Sequence, residues 1–503
     1  MGGDMNSAFF HRSVRIRRHH NSISFLYDYN GRCFNDSYQI DQVLVDHFSN
    51  VWKNPNPKPL EWFLDALPPD LPTLSINQQI SLSRPVTEDE IYLTLLSLSE
   101  GKSPGPDGMN VEFFKFFWTD IEKHLVPAII YFFQNAVMPR AWGRTYITLI
   151  PKKDHPKYAS DFCPISLCNV AYKIITKILA NRIKDVIVCL VGKEQCGFVP
   201  GRSPIDNTIA VQEMIHSINQ EKTIPPRMLI KVDIEKAYDT LDWNTILATL
   251  SIMNFPGIWV AYVRACLEAS SFSIIVNGKP SSWFQSSRGV RQGNSLSPYL
   301  FILVAQNLTT ILNKARLLGL IPSFSNNLKH NFNHLMYADD LILVIAASRK
   351  SARNICFCLK LYAHLSGQYP NQNKSEIYFP NWFNSRVSTR ISSSLNFKPG
   401  KIPFTYLGVL ISPKRLAISH FDSMINRMNT AVTDWGKTKL SKAGKSVIIN
   451  SILMAIPTYY LSVYPIPDSV LSKLSKIARK FLWANNDQVS SMPLIKLGHC
   501  HFL

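Results

Sequence analysis

The chain has 503 residues, with 54 Lys and Arg against 35 Asp and Glu, so its formal net charge is +19 at pH 7. Hydrophobic residues make up 46% of the sequence and aromatic residues 11%, which excludes a disordered, collagen-like or low-complexity chain. The positive surplus predicts a polyanionic partner, either nucleic acid or an anionic membrane.

The N-terminal region is rich in arginine and contains no apolar stretch of the signal-peptide kind. A proline-rich break, NPNPKPLEW, interrupts the pattern at residues 54–62. We identify no targeting signal. We therefore predict an N-terminal, linker-like extension over residues 1–82 and an intracellular protein.

Two segments further along the chain have the pattern of amphipathic helices. The first begins at Thr87, an N-cap candidate that an acidic first turn follows, and the turn SPGPDG at residues 103–108 lies beyond its end. In the second, residues 170–187, apolar positions follow helical spacing and three lysines share another face. That face either contacts a template or is merely solvated, and the sequence leaves both interpretations open. Its lysines are Lys173, Lys177 and Lys184.

Three carboxylates lie where the sequence predicts buried β-strands. Asp233 closes the β-branched run RMLIKV, and helix-compatible residues follow it. Asp339 and Asp340 interrupt the apolar runs of LMYADDLILVI at a point short enough to be a hairpin tip. Carboxylates in such positions are costly unless a cation lies against them.

Mg²⁺ meets this requirement, because it prefers oxygen ligands and keeps waters and substrate phosphates in its shell. A pair of Mg²⁺ ions activates an attacking 3′-hydroxyl and stabilises a departing pyrophosphate. We predict Asp233 and Asp339 as bridging ligands, with Asp340 completing the set. YADD alone is also compatible with a surface hairpin that has an acidic tip. The strand-borne Asp233, about a hundred residues earlier, favours a polymerase.

The longest uncharged run, residues 448–466, has the length of a membrane-spanning helix of about 20 residues. Pro457 and Pro465 interrupt it, and polar residues dilute it. We predict a buried helix followed by an extended segment, and no membrane partner.

A series of motifs continues in order along most of the chain. These are KSPGPDGMNVEFFKFFW from Lys102, LIPKKDHPKYASDFCPISLCNVAYKIITKILANRIK from Leu149, GFVPGRSPIDNT from Gly197, VDIEKAYDTLDW from Val232, RGVRQGNSLSPYLF from Arg288, HLMYADDLIL from His334, SGQYPNQNKSEIYF from Ser366 and YLGVLI from Tyr406. The series resembles the reverse transcriptases of non-LTR, LINE-type retrotransposons, particularly those of plant genomes.

The resemblance implies an α+β fold of the right-hand polymerase type, with fingers, an antiparallel palm sheet packed on helices, and a helical thumb. The implied boundaries are 83–225 for the fingers, 226–411 for the palm, 412–486 for the thumb and connection, and 487–503 for a tail that departs from the pattern. The family's endonuclease and ribonuclease H domains have no counterpart in this sequence, so we expect a truncated copy of such an element.

The resemblance also implies roles for residues that match the family's motifs. Asp233, Asp339 and Asp340 would be the catalytic metal ligands. Lys374 would protonate the leaving pyrophosphate. Tyr238 occupies the family's steric-gate position, where an aromatic ring under the sugar collides with a ribose 2′-hydroxyl.

Nucleotide binding is assigned in the same way. Gln292 and Gly293 would lie beside the incoming nucleotide, where glycine allows a close backbone approach. Lys152 or Lys153 would contact the triphosphate from the fingers. The segment over residues 435–483 resembles the thumb, and four of its lysines are candidates for phosphate contacts. These are Lys437, Lys439, Lys442 and Lys445.

The sequence departs from the family's pattern at two places beside the nucleotide. In DFCPISL the family has arginine where this chain has Cys163, and a thiol cannot replace two charge-assisted bonds of about 1.5–3 kcal/mol each. After RQG, the usual Asp-Pro is replaced by Asn294 and Ser295, which removes a charge and a rigid turn residue.

The predicted function is RNA-directed DNA polymerase (reverse transcriptase), acting on dNTPs, a DNA primer and an RNA template. Its predicted cofactor is a pair of Mg²⁺ ions, with Mn²⁺ as a substitute, and the family resemblance implies the nucleus or the cytoplasm. The alternative is a catalytically impaired retrotransposon remnant that retains only nucleic-acid binding, which the two departures favour and the intact carboxylates oppose. An RNA-directed RNA polymerase is disfavoured by Tyr238 and by YADD.

Overall fold

The fold is taken from a computed structural model of the chain, and the structure describes residues 22–220, 225–321, 333–436 and 440–483. Three predicted features lie outside these residues. They are the arginine-rich start, the tail over residues 487–503, and the thumb candidates Lys437 and Lys439.

The described residues contain both helices and strands. The helices are α1 (Ser37–Trp52), α2 (Leu60–Ala66), α3 (Ile76–Ser83), α4 (Glu88–Ser97), α5 (Val111–Phe116), α6 (Trp118–Asn135), α7 (Arg140–Gly143), α8 (Val170–Leu190), α9 (Pro204–Gln220), α10 (Trp243–Ile252), α11 (Gly257–Glu268), α12 (Ser297–Leu317), α13 (Arg349–Ser366), α14 (Ser385–Leu395), α15 (Asp422–Gly436), α16 (Lys442–Ile448), α17 (Ala455–Leu461) and α18 (Asp468–Trp483).

The strands are mostly short. They are β1 (Leu26–Tyr27), β2 (Cys33–Phe34), β3 (Arg144–Pro151), β4 (Phe162–Cys168), β5 (Arg227–Val232), β6 (Ser271–Val276), β7 (Lys279–Pro280), β8 (Phe284–Gln285), β9 (His334–Tyr337), β10 (Asp340–Ala346), β11 (Glu376–Tyr378), β12 (Lys398–Pro399), β13 (Phe404–Tyr406) and β14 (Val409–Ile411). This mixture of helices and strands confirms the predicted α+β fold class.

The described residues divide into two compact units. The first follows the bounds Met1–Arg202, Ile230–Glu376 and Thr389–Lys398, and the second follows Ser203–Leu229, Ile377–Ser388 and Pro399–Leu503. The predicted finger, palm and thumb boundaries stay a prediction.

One sheet of the first unit has the strand order β4–β3–β6–β7. Strand β3 pairs antiparallel with β4 and parallel with β6, so the sheet is mixed. Burial alternates along β3 and β4, which gives the sheet one apolar face. Helix α1 covers part of this sheet, with Phe48 and Trp52 packed in one core with Ile147, Phe162 and Phe272. Residues of the predicted extension therefore belong to this core.

The strands that carry the predicted carboxylates belong to a second sheet, in which β10 lies between β5 and β9. Residues 341–345 of β10 are all buried, so both faces of this strand are covered. Helix α12 is buried along much of its length and packs against α8, α10 and α13. It also contacts β9, where the Thr309 hydroxyl lies 3.1 Å from His334 Nε2.

The two predicted amphipathic helices are both confirmed. Thr87 is the N-cap of α4, and its hydroxyl accepts a hydrogen bond of 3.2 Å from the Glu90 N–H. Helix α8 spans the second segment, and its apolar stripe is buried. The lysines of its other face are half-buried or exposed.

In the second unit, α15, α16, α17 and α18 share one apolar core that includes Met424, Leu453 and Phe481. Lys445 is only 8% exposed, with its ammonium 5.9 Å from the centroid of the Phe481 ring, so it does not face solvent as a phosphate contact would. The uncharged run over residues 448–466 forms short helical segments and not one long helix. Within the described ranges, no helix combines the length and apolarity needed to cross a bilayer.

Candidate active site

Asp233, Asp339 and Asp340 lie at one end of adjacent strands, and we call these three residues the carboxylate edge. Asp233 directly follows the last residue of β5, and Asp340 is the first residue of β10. Asp340 is paired with Tyr337 of β9, so Asp339 lies in a two-residue turn between the strands. The structure therefore brings the predicted metal ligands together by strand pairing.

The electrostatics of the carboxylate edge follow from this proximity. Burial raises the pKa of Asp339, and the neighbouring Asp233 raises it further, while Lys374 lowers it. Burial also raises the pKa of Asp340, against the opposing effect of Lys231, and both other carboxylates add to the rise. Like charges held close together favour the protonated form, unless a cation compensates them.

A turn of the chain over residues 371–375 holds the backbone of Asp233. The Asn371 N–H donates to the Asp233 carbonyl at 2.7 Å, and the Asp233 N–H donates to the Ser375 hydroxyl at 3.1 Å. The same turn carries Lys374, whose ammonium lies 3.8 Å from Asp233 Oδ2 while its side chain is 69% exposed. The predicted catalytic lysine is thus a neighbour of the carboxylate edge.

The donors of the carboxylate edge suit a hard divalent cation, because they are all carboxylate oxygens on rigid strand ends. Their mutual effect on pKa fits the same interpretation. Within the described ranges, however, no three His, Cys, Asp or Glu side chains are grouped closely enough to hold a metal ion. The three carboxylates are neighbours that repel one another, and they do not form a closed ligand set.

Tyr238 packs beside the carboxylate edge. Its carbonyl accepts a hydrogen bond of 2.7 Å from the Val290 N–H, and its ring stacks on Phe301 with centroids 5.2 Å apart. Burial and the nearby Asp339 carboxylate raise the pKa of the Tyr238 hydroxyl. The ring is therefore held against Phe301, and the backbone of Tyr238 is held by Val290.

Gln292 and Gly293 belong to a loop that we call the nucleotide loop, residues 289–294, in which Val290 and Arg291 are buried. The Ser166 N–H of β4 donates to the Gln292 carbonyl at 3.0 Å, which fixes the loop to the mixed sheet. Gly293 has a φ of 95°, a conformation that favours glycine. The Gln292 side chain donates from Nε2 to Asp239 Oδ1 at 3.1 Å.

Both departures from the family pattern have neutral local contacts. The Cys163 thiol donates to Gln292 Oε1 at a distance of 3.4 Å, and burial raises the pKa of this thiol. Asn294 Oδ1 accepts from the Leu296 N–H at 3.2 Å, a local turn that leads into α12. These hydrogen bonds keep the loop folded without supplying a positive charge.

The two candidate lysines of the fingers differ in their partners. Lys153 forms an ion pair of 3.0 Å with Asp161. Lys152 donates to the Ser160 carbonyl at 3.1 Å and lies close enough to lower the pKa of the Cys163 thiol. Of the two residues, Lys152 is the cation on the side of the nucleotide loop.

Sequence reasoning missed two residues that support the nucleotide loop. Asp239 is only 8% exposed, and burial raises the pKa of its carboxyl group although Trp52 and Gln292 donate to it. The Trp52 indole N–H donates to Asp239 at 3.1 Å, across 187 positions of the chain. Asp239 lies in the motif VDIEKAYDTLDW, so the motif could have indicated it. Nothing local distinguishes Trp52.

Comparison with known proteins identifies the family of the chain. Residues 150–411, about half of the chain, match the family described as reverse transcriptase (RNA-dependent DNA polymerase). The chain belongs to this family. The predicted resemblance to the reverse transcriptases of non-LTR retrotransposons is confirmed for the reverse transcriptase domain.

Three curated relatives come from transposable elements of animals. The chain is 26% identical to the transposon TX1 uncharacterized 149 kDa protein of Xenopus laevis, over 98% of this chain and 38% of the relative. It is 30% identical to the Pol polyprotein of the type-2 retrotransposable element R2DM of Drosophila melanogaster, over 51% of this chain and 23% of the relative. It is 23% identical to the RNA-directed DNA polymerase from mobile element jockey of Drosophila melanogaster, over 78% of this chain and 42% of the relative. The chain spans less than half the length of each of these three relatives.

Proposed function

We propose that this chain adds dNTPs to the 3′-hydroxyl of a DNA primer on an RNA template, by two-metal catalysis. The observation that carries the proposal is the carboxylate edge, where strand pairing holds three acidic side chains at one sheet end despite their repulsion. Such an arrangement is costly without a cation, and the cation we propose is Mg²⁺, with Mn²⁺ as a substitute.

In this proposal, Asp233, Asp339 and Asp340 hold the metal ions. When bound, a pair of Mg²⁺ ions would activate the attacking hydroxyl and stabilise the leaving pyrophosphate. Lys374 donates a proton to that pyrophosphate, and its ion pair with Asp233 supports a place at the same site. Because the lysine side chain is largely exposed, it can turn from the carboxylate toward the product.

The nucleotide would lie between the carboxylate edge and the nucleotide loop. Tyr238 excludes a ribose 2′-hydroxyl, which its fixed ring supports. Gln292 and Gly293 contact the sugar and base through a backbone that hydrogen bonds to β4. Lys152 supplies the positive charge for the triphosphate, because Lys153 is already paired with Asp161.

The proposed domains follow the predicted boundaries, with fingers over 83–225, palm over 226–411 and thumb over 412–486. The matched family region supports the end of the palm, since it also ends at residue 411. The N-terminal extension, the plant affiliation, and a place in the nucleus or cytoplasm stay predictions.

A primer-extension assay tests the proposed function. The purified chain is given Mg²⁺, dTTP and an oligo(dT) primer on poly(rA), and we expect incorporation that stops when the metal is chelated. A chain with Asp339→Asn and Asp340→Asn is the matched control, because it keeps the shape of the turn and loses two charges. Incorporation that is equal in the control and the wild type would overturn the proposal.

The second candidate is a remnant that binds nucleic acid without polymerase activity, and the neutral contact of Cys163 with Gln292 favours it. Binding through the basic surplus should be independent of sequence and should weaken steeply as salt rises. Fluorescence anisotropy with an RNA/DNA hybrid at a series of salt concentrations measures this. Salt-dependent binding together with an inactive wild type would establish the remnant as the better description.

A further inference from the structure

The turn that carries Asp339 has an unusual backbone. Ala338, the residue before it, has a φ of 53°, in the left-handed region that a side chain disfavours. Ala338 and Asp339 are the two residues between paired strands, where primed turns need a positive φ at the first position. A non-glycine residue keeps such a conformation only where surrounding contacts determine it.

Those contacts come from the side chain of Gln195, 143 positions earlier in the chain. Its Oε1 accepts from the Ala338 N–H at 2.8 Å, and its Nε2 donates to the Ala338 carbonyl at 3.2 Å. The same Oε1 also accepts from the Gly197 N–H at 2.8 Å. Gln195 is only 2% exposed, so water does not compete for these bonds.

The backbone around Gln195 is itself attached to strand β9. The Met336 N–H donates to the Glu194 carbonyl at 2.7 Å, and the Cys196 N–H donates to the Met336 carbonyl at 2.9 Å. Residues 194–196 thus cover the outer edge of β9 with two backbone bonds. The amide of Gln195 is held in place before it meets the turn.

Gly197 allows this close approach. A Cβ at this position would lie 2.4 Å from the Ala338 nitrogen, a separation that atoms do not tolerate. The segment beyond it is held by Arg202, whose guanidinium donates to the carbonyls of Val191 and Gln195 at 2.9 and 2.6 Å. The loop over residues 191–202 therefore presents one planar amide to the turn.

We infer that Gln195 is a positioning residue for the carboxylate edge: it fixes the Ala338 peptide, and through it the direction of the Asp339 carboxylate. This inference rests on the proposed function, since it assumes that Asp339 binds the metal. The primary amide of glutamine offers an acceptor and a donor together at this reach. A side chain of equal length without them leaves both groups of Ala338 unpaired.

Gln195→Met tests the inference, because methionine has similar length and cannot form these bonds. The matched control is Gln306→Met. Gln306 is also buried and accepts a hydrogen bond from the Gly192 N–H of the same loop, but it does not hydrogen bond to the turn. Mn²⁺ binding, measured by electron paramagnetic resonance on the full chain, should weaken about 10–100-fold in Gln195→Met, as for other residues that orient metal ligands. It should change less than about twofold in the control.

Steady-state kinetics give a second measurement. Loss of orientation should lower kcat, while the KM for dNTP stays close to that of the wild type, because Gln195 contacts the turn and not the nucleotide loop. Wild-type Mn²⁺ affinity in a folded Gln195→Met chain would overturn the inference. An equal loss in Gln306→Met would do the same, since it would assign the effect to loop stability.

The outcome for the proposed function is read separately, from Asp339→Asn. If this variant loses Mn²⁺ binding and Gln195→Met does not, the proposed function stands and the positioning role is wrong. If the wild type does not bind Mn²⁺, both the proposed function and the positioning role are wrong.

Should Gln195→Met not fold, Gly197→Ala takes its place, since the added Cβ displaces Ala338 while Gln195 is retained. Wild-type Mn²⁺ affinity in that variant would also contradict the inference.

Discussion

At the carboxylate edge, charge is concentrated: Asp233 raises the pKa of Asp339 and of Asp340, and Lys374 is the cation that lies against Asp233. Beside the nucleotide loop, one cation of the family pattern is missing: the position of the family's arginine holds Cys163, whose contact with Gln292 is a neutral hydrogen bond. The first region preserves an arrangement that is costly without a cation, and the second has lost a cation. In the proposed function, metal binding and nucleotide binding would therefore depend on separate residues of this chain.

The largest expected effect separates the two regions by their kinetics. Asp339→Asn should lower kcat by about three orders of magnitude, or about 4 kcal/mol, with little change in the KM for dNTP. Gln292→Met should act mainly on that KM, because it removes a contact beside the nucleotide and not a metal ligand. Steady-state primer extension at a series of dTTP concentrations measures both. Equal changes in KM would show that the two regions do not have separate roles.

The next effect concerns the lost cation. Cys163→Arg should raise kcat/KM for dNTP by about 10–100-fold, since a guanidinium supplies the bidentate charged contact that the thiol lacks. Cys163→Ser is the matched control, because it keeps a neutral donor toward Gln292 and should change little. An active wild type that gains nothing from the arginine would mean that position 163 does not face the triphosphate, and Asn294 and Ser295 would be examined next.

A smaller effect is the pH dependence of metal binding at the carboxylate edge. Because the pKa values of Asp339 and Asp340 are raised above the ordinary 3.8 of aspartate, protons compete with the metal at a higher pH than usual. The Mn²⁺ affinity should therefore reach its full value at a pH above these raised pKa values and should fall as the pH decreases through them. Electron paramagnetic resonance across the acidic range tests this. An affinity that declines only around pH 3.8 would show that burial and the neighbouring carboxylates do not raise these pKa values.

The smallest effect concerns stability. A carboxyl group whose pKa is raised in the folded state destabilises the fold once it is ionised, so stability should rise as pH falls through that pKa. At neutral pH without metal, Asp340→Asn should then increase the free energy of unfolding, by about 1 kcal/mol or less. Urea unfolding with and without Mg²⁺ measures this. Mg²⁺ should stabilise the wild type more than the variant, and a destabilised variant would contradict the account.

Much of the carboxylate edge could be predicted from the sequence, because its signals are local. An apolar run that ends in Asp233 predicts a strand end, and the acidic pair within LMYADDLILVI predicts a turn. The helix that begins after Thr87 and the helix over residues 170–190 follow from capping and periodicity in the same way. The motif series also predicted the family, since its members are recognisable one by one along the chain.

What the sequence determined by itself was therefore the α+β class, the family and the residues of the carboxylate edge. Only the tertiary structure decided what supports them. Gln195 reaches Ala338 across 143 positions, and Trp52 of the predicted extension reaches Asp239 across 187. The local sequence pattern indicates neither contact. A buried glutamine or tryptophan has the same sequence neighbours whether or not its polar group hydrogen bonds to a distant residue. Packing of separate segments against one another selects these partners, and packing is a property of the folded chain.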